Sequence, residues 1–226
     1  MGQRSGIRAK ARSNKPRTKK FMGRVSDAKE RLMEAVRQLI WSGSFGSTTI
    51  DQICAKSGVK KGSFYYFFHS KADLAVAAID EEWQLRRRPE LDMIFSPTVP
   101  PLERLKKYCD YGYRFQAEIK AKFGRVLGCP LFTLGAEVST QEAPLQKKIQ
   151  EILNQKRKYL ESTIRDAHAA GLIYAPDAAG KARMLFSYYQ GLITEARIDN
   201  SLDVFRDAIP HTYELLGVKA AEPVPA

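Results

Sequence analysis

Gly58-Val-Lys-Lys-Gly-Ser-Phe-Tyr-Tyr-Phe-Phe-His-Ser-Lys-Ala-Asp-Leu74 is the stretch on which the reading of this 226-residue chain turns. Just ahead of it, Thr48-Thr-Ile-Asp51 has a capping-box pattern, a threonine with an acid three residues on, and opens a short helix that stops before Gly58. A second short helix spans about Lys60 to Phe67. Two short helices that cross steeply need a small residue where they touch, and Cys54 is small. They also need a turn residue tolerant of positive φ, and Gly58 comes four positions later. Ile50, Ile53, Val59, Phe64 and Phe67 are placed to lock the pair. This is a helix-turn-helix, whose second helix presents a polar face to the major groove. Its exposed residues are then Lys60, Lys61, Gly62, Ser63, Tyr65 and Tyr66. Lysines at a helix start suit phosphate, Gly62 lets the backbone come close, and the hydroxyls donate to phosphates or base edges. The competing reading places Tyr65 and Tyr66 in the core beside Phe64 and Phe67.

Outward from this pair the periodicity is helical almost everywhere. Ser26 caps a first helix whose Leu32, Ala35, Val36, Leu39 and Ile40 form one apolar stripe, ended by Ser42-Gly43. Downstream, His69-Ser70-Lys71 makes a turn, and a longer helix runs from about Ala72 until Pro89 forbids continuation. Residues 89–101 hold four prolines and read as a loop. Helix resumes from Leu102 to about Ala121, Gly124, Gly128 and Pro130 break it, and Leu131 to Ser139 is a short apolar segment. The stripe Leu145, Ile149, Ile152, Leu153, Lys156, Leu160, Ile164, Ala167 persists to Gly171, and another helix spans about Asp177 to Ile198. Leu202 to Leu216 is a last one. Strand alternation and repeats of 20–50 residues are absent, so the chain reads as all-α, with nine or ten helices.

Residues 27–88 resemble the DNA-binding domain of the TetR family of transcriptional regulators. The Gly-Val pair at 58–59, the Lys61-Gly-Ser63 step, the aromatic pair, the Ser70-Lys71 turn and the approach Thr48 to Ile53 carry the likeness. Cys54 departs from the commoner alanine. The resemblance implies a three-helix reading head on a larger helical domain, a homodimer on a palindromic operator, and a repressor released by a small molecule. Carried onto matching positions, it makes Thr48 or Thr49, Lys61, Ser63, Tyr65, Tyr66 and Lys71 DNA-contacting.

The net charge of +12 is concentrated at one end. Residues 1–26 contribute +9 with no acid, residues 27–75 contribute +2, and the rest is nearly neutral. Such a block stays extended and seeks polyanions. It lies outside the family pattern, and Arg24 and its neighbours are expected on DNA, as homeodomain arms are. A solubilising tail is the competing reading. The expected organisation is a disordered basic arm over 1–25, the helix-turn-helix domain over 26–72, a ligand-binding and dimerisation domain over 73–219, and a flexible tail over 220–226.

In the C-terminal part the aromatics cluster. Trp83, Tyr108, Tyr111, Phe115 and Phe132 are candidates to line an apolar cavity, with Glu137 as a lone acid that orients a ligand or caps an interface. The cavity itself is an implication of the family resemblance; taken singly, each aromatic is better explained as core. Gly128-Cys129-Pro130 resembles a Gly-Cys segment found in a subset of these regulators, and Cys129 at a helix start is a candidate sensor of oxidants or electrophiles. Otherwise it is a small buried hydrophobe. The helices of about 145–170 and 177–198 suit pairing of two subunits, with Ala178, Ala179, Ala182, Gly191 and Ala196 allowing close approach.

Other classes fit less well. His69, His168 and His211 lack metal-ligand spacing, Gly58 to Ser63 lacks the ending of a phosphate loop, and no nucleophile elbow or dinucleotide fingerprint is present, so no catalytic residue, metal or cofactor is expected. Three scattered cysteines and no apolar run of membrane length point to a cytoplasmic protein without a membrane partner. A sequence-independent nucleic-acid binder remains the rival; it needs a basic stripe along the whole chain.

Overall fold

Helix dominates the computed structural model, which describes residues 19–138 and 140–218, with side chains from residue 27 onward. The arm to residue 18, the Arg24 side chain, Ser139 and the tail from 219 lie outside the described residues. No strand occurs among those described.

The head is built from α1 (Lys19–Ser42), α2 (Ile50–Ser57) and α3 (Lys61–Phe67). Helix α1 begins at Lys19, so Ser26 sits inside it and is not its cap. The apolar stripe of α1 is buried as its spacing requires, with Leu32 and Val36 fully covered, and it packs on Ile53, Phe64 and Leu74 in one continuous core. Arg31 reaches from α1 to donate to the Ser57 carbonyl at 3.0 Å, which anchors the end of α2.

Helix α4 (Lys71–Glu82) links head and body. Its cap is Ser70, whose hydroxyl accepts from the Asp73 N–H. Pro89 does not end this run. A single π turn over Trp83–Arg87 follows α4 and leads straight into α5 (Arg88–Ile94), so the expected loop shrinks to residues 95–100. The wider turn re-registers the backbone, and Pro89 then falls at the start of α5, where a missing N–H costs nothing.

The body continues with α6 (Pro101–Phe123), α7 (Pro130–Val138), α8 (Ala143–Ala169) and α9 (Ala178–Asp199), then a 3-10 turn and α10 (Ala208–Leu216). Helices α8 and α9 pack along each other through Leu160, Ile164, Leu185 and Tyr189, and α4 crosses α8. Arg104 of α6 is almost wholly covered; it meets Asp166 of α8 at 2.5 Å and donates to the carbonyls of Pro97 and Val99, so the 95–100 loop is pinned by one guanidinium.

Candidate nucleic-acid interface and the cavity behind it

The α2–α3 pair closes through backbone chemistry. Thr49 is the N-cap of α2: its hydroxyl accepts from the Gln52 N–H at 3.2 Å, while Gln52 Oε1 accepts from the Thr49 N–H at 2.8 Å. The capping box therefore sits one residue later than Thr48 and Asp51, with a glutamine as the reciprocal partner. Gly58 turns the chain with φ 64°, and the Val59 N–H returns to the Cys54 carbonyl at 3.1 Å. That left-handed turn is what only glycine adopts cheaply. Buried Phe64 then fixes the rotation of α3.

With Phe64 inward, Lys60, Lys61, Gly62, Ser63, Tyr65 and Tyr66 all face solvent. Tyr66 is 75% exposed and Tyr65 51%, so neither belongs to the core; the aromatic buried in their place is Phe68. A Cβ on Gly62 would meet nothing within 4 Å, which leaves the start of α3 open to close approach. The Lys61 ammonium pairs with Asp51 at 2.8 Å, and that hydrogen bond holds its pKa above the usual lysine value.

Two expected contact residues are engaged within the protein, Thr48 buried and Lys71 half-buried. Thr48 is 4% exposed, and its hydroxyl donates to the Ser44 carbonyl at 2.7 Å. Lys71 turns back against the Phe45 ring and donates to the carbonyls of Phe45 at 2.6 Å and Thr48 at 2.8 Å. Burial pushes its pKa down, against the opposing pull of Glu142 and Glu137. In this arrangement the lysine braces the α1–α2 turn through two carbonyls.

Behind the head lies a cavity of about 240 Å³, walled by α1, α4, the π turn, α6, α7 and α9. Trp83, Tyr108, Tyr111, Phe115 and Cys129 all line it, as the sequence suggested. Trp83 is fixed by donating to Gln155 at 2.9 Å. Phe115 stacks on Trp41 at 5.6 Å, and the Arg87 guanidinium, itself neutralised by Glu82 at 2.7 Å, lies over the Phe115 ring 4.2 Å from its centroid. Burial raises the pKa of Tyr108 and of Cys109, whose Sγ lies 3.1 Å from the Tyr189 hydroxyl, so both remain protonated at neutral pH. Trp41, Cys109, Tyr189 and Gln190 were not anticipated, because each reaches the wall through contacts distant in sequence.

Phe132 and Glu137 are not in that wall. Phe132 is 43% exposed on the outer side of α7, in a cleft with Ser187, Gly191 and Ile198 of α9. The helical turn that carries Leu131 and Leu134 inward necessarily carries residue 132 outward. Glu137 points to the head and accepts from the N–H groups of Phe45 at 2.9 Å and Gly46 at 2.7 Å. Of the small residues expected at a pairing surface, Ala182 and Ala196 are buried within the chain, while Gly191 is open on the outer face of α9. Met184 and Ile198 are exposed on the same stripe, each about two turns from Gly191.

Among the described residues no cluster of three His, Cys, Asp or Glu side chains could hold a metal, and no helix is long and apolar enough to cross a membrane. Residues 32–78 match the family model described as bacterial regulatory proteins of the tetR family, and residues 101–212 match the tetracyclin repressor-like C-terminal domain. An uncharacterized HTH-type transcriptional regulator from the lacX 3′ region of Lactococcus lactis is 26% identical over 198 residues, covering 86% of this chain and 97% of its own. The regulatory protein TetR from Rhodobacter sphaeroides has a similar fold, with a TM-score of 0.72 at 25% identity over 83% of this chain and 98% of that one. The reduced form of Escherichia coli NemR superposes with a TM-score of 0.71 at 19% identity, over 86% of this chain and all (100%) of that one.

Proposed function

The chain belongs to the tetR family, whose members are DNA-binding transcriptional regulators and not enzymes, and from that premise we propose that it is a homodimeric repressor released from a palindromic operator by a small molecule in the cavity. The observation that carries this reading is the join of two features in one chain. An exposed face of lysine, glycine and hydroxyl groups on α3 is braced through α4 and α7 against an aromatic-walled cavity of about 240 Å³. The cavity exceeds the roughly 150 Å³ that holds a benzene, so it suits a ligand of one or two rings or an equivalent branched chain.

Dimerisation supplies the second reading head. The outer stripe of α9, with Met184, Gly191 and Ile198, and Phe132 of α7 form the apolar surface for it, alongside α8. Two copies of α3 then meet half-sites one helical turn apart.

Selection of bound duplexes from a random-sequence pool tests the reading. A single palindromic site, protected as one short window, is the expected result. Uniform protection of any duplex would instead favour the sequence-independent binder.

A second reading concerns the trigger. Cys129 lines the cavity at the start of α7, Cys109 lines it from α6, and the NemR neighbour is known in a reduced form. On this reading the releasing molecule is an electrophile with an activated double bond; the Cys129 sulfur adds to one carbon, the S–H proton passes through solvent to the other, and no group leaves. Operator release that survives Cys129→Ser rules it out.

A further inference from the structure

The turn between α1 and α2 is gripped from both sides by residues that belong to other parts of the chain. Glu137 of α7 takes its N–H groups, at Phe45 and Gly46, while Lys71 of α4 takes its carbonyls, at Phe45 and Thr48. A Cβ on Gly46 would stand 3.2 Å from Glu137 Oε1, so a side chain at 46 would press on the carboxylate and shift it by a few tenths of an ångström. This turn leads directly into Thr49, the cap of α2, and so sets where the α2–α3 pair begins.

The other end of α7 is equally constrained. Gly128, ahead of it, exchanges two hydrogen bonds with the Gln116 amide of α6, at 3.1 and 3.2 Å. Trp41 of α1 donates to the Leu127 and Gly128 carbonyls, and Arg197 of α9 donates to Thr133 at 2.8 Å. Between these ties and Glu137, the inner face of α7 is cavity wall, through Leu131 and Leu134. A helix tied at its base, facing the cavity along its length and holding the head at its tip can move the head when the wall moves.

We propose that Glu137 is a positioning residue for DNA reading, and that α7 is the strut through which cavity occupancy reaches the α1–α2 turn. The coupling rests on the ligand-release reading above; the positioning role does not. Hydrogen bonds from backbone N–H groups to a carboxylate are among the strong ones, and losing them leaves two donors of the turn without their partner. The turn is then free to sample other entries into α2, which blurs the register of α3 on a half-site.

The test uses the full chain, the duplex selected from the random pool, and a scrambled duplex. Glu137→Gln keeps the shape and removes the charge. It is expected to leave melting temperature and oligomeric mass unchanged, to raise hydrogen exchange at the Phe45 and Gly46 amides about tenfold, and to weaken the selected duplex about tenfold with the scrambled duplex unaffected. Gly46→Ala crowds the same contact from the head side and should produce the same pair of changes, which covers the case of a Glu137 variant that folds poorly. Unchanged exchange in both variants, or equal losses on both duplexes, overturns the positioning role. Tyr108→Trp then fills the cavity from α6 in place of a ligand. It should weaken the selected duplex about tenfold in the parent chain and less than twofold in the Glu137→Gln background, the non-additivity expected of coupled sites. Equal losses in both backgrounds overturn the coupling. No loss in either overturns the coupling together with the ligand-release reading, while the exchange result still decides the role of Glu137.

Discussion

Lys61, proposed above to meet phosphate, is already paired in the free protein. Its ammonium sits on Asp51, both side chains being half or more exposed, and under the proposed reading it would exchange that carboxylate for a phosphate. Solvent screens an exposed pair of this kind, so the exchange is easy. Lys61→Ala should therefore weaken selected and scrambled duplexes alike and reduce the salt slope by about one, whereas Tyr66→Phe should change the ranking of operators and leave the slope intact. Titrations at several salt concentrations separate the two; a Lys61→Ala slope equal to the parent's would remove Lys61 from the phosphate contacts. The residue scale is also where sequence reading slipped. Thr48 and Thr49 are adjacent and chemically identical, and only the hydrogen bonds made by the folded turn decide which one caps and which one is buried. Lys71 reads as a free cation until its two carbonyl partners, at positions 45 and 48, are brought beside it.

Helices, by contrast, were largely legible, because period and punctuation act locally. The spacing in α1 and α8, the glycine after α2 and the prolines opening α6 each act within one or two turns. The π turn before Pro89 was not, since it depends on how Trp83 is drawn into the body. The α1–α4 contact carries a pH dependence. Arg37 of α1 meets Glu81 of α4 at 3.0 Å and Glu34 at 2.9 Å. Burial pushes the Glu34 carboxyl up, but hydrogen bonds from Arg37 and Gln38 more than offset it, and its pKa falls below the ordinary 4.5. The unfolded chain thus takes up this proton first: the stabilisation is complete above pH 4.5 and is lost as pH falls through the lowered value. Being partly exposed, Glu34 should account for no more than about 1 kcal/mol. Thermal melts of the parent chain and Glu34→Gln should differ at pH 6 and converge toward pH 3. Curves that stay parallel would exclude Glu34 as the source.

At the scale of the molecule, function depends on surfaces that one chain leaves open. The stripe of α9 ends in Ile198, a large apolar side chain 77% exposed, which is unfavourable for an isolated subunit and ordinary at a subunit contact. Ile198→Glu should shift the sedimenting species from dimer toward monomer and lower operator affinity at least tenfold, because one reading head contacts one half-site. A dimer that persists would move the interface off this face. Neither that surface nor the cavity could be read from sequence periodicity. Periodicity tells which side of a helix is buried, not whether it is buried against its own chain, a second copy or a ligand. Phe115 and Phe132 are both aromatics on amphipathic helices, yet the first lines the cavity and the second faces out.

The chain has two tryptophans, Trp41 and Trp83, and both stand in the wall of the cavity while α3 has none. Tryptophan emission, excited beyond the tyrosine band, is therefore a native signal from the cavity alone. Entry of a molecule there can be timed optically, without a label, and set against departure from DNA to show which event comes first.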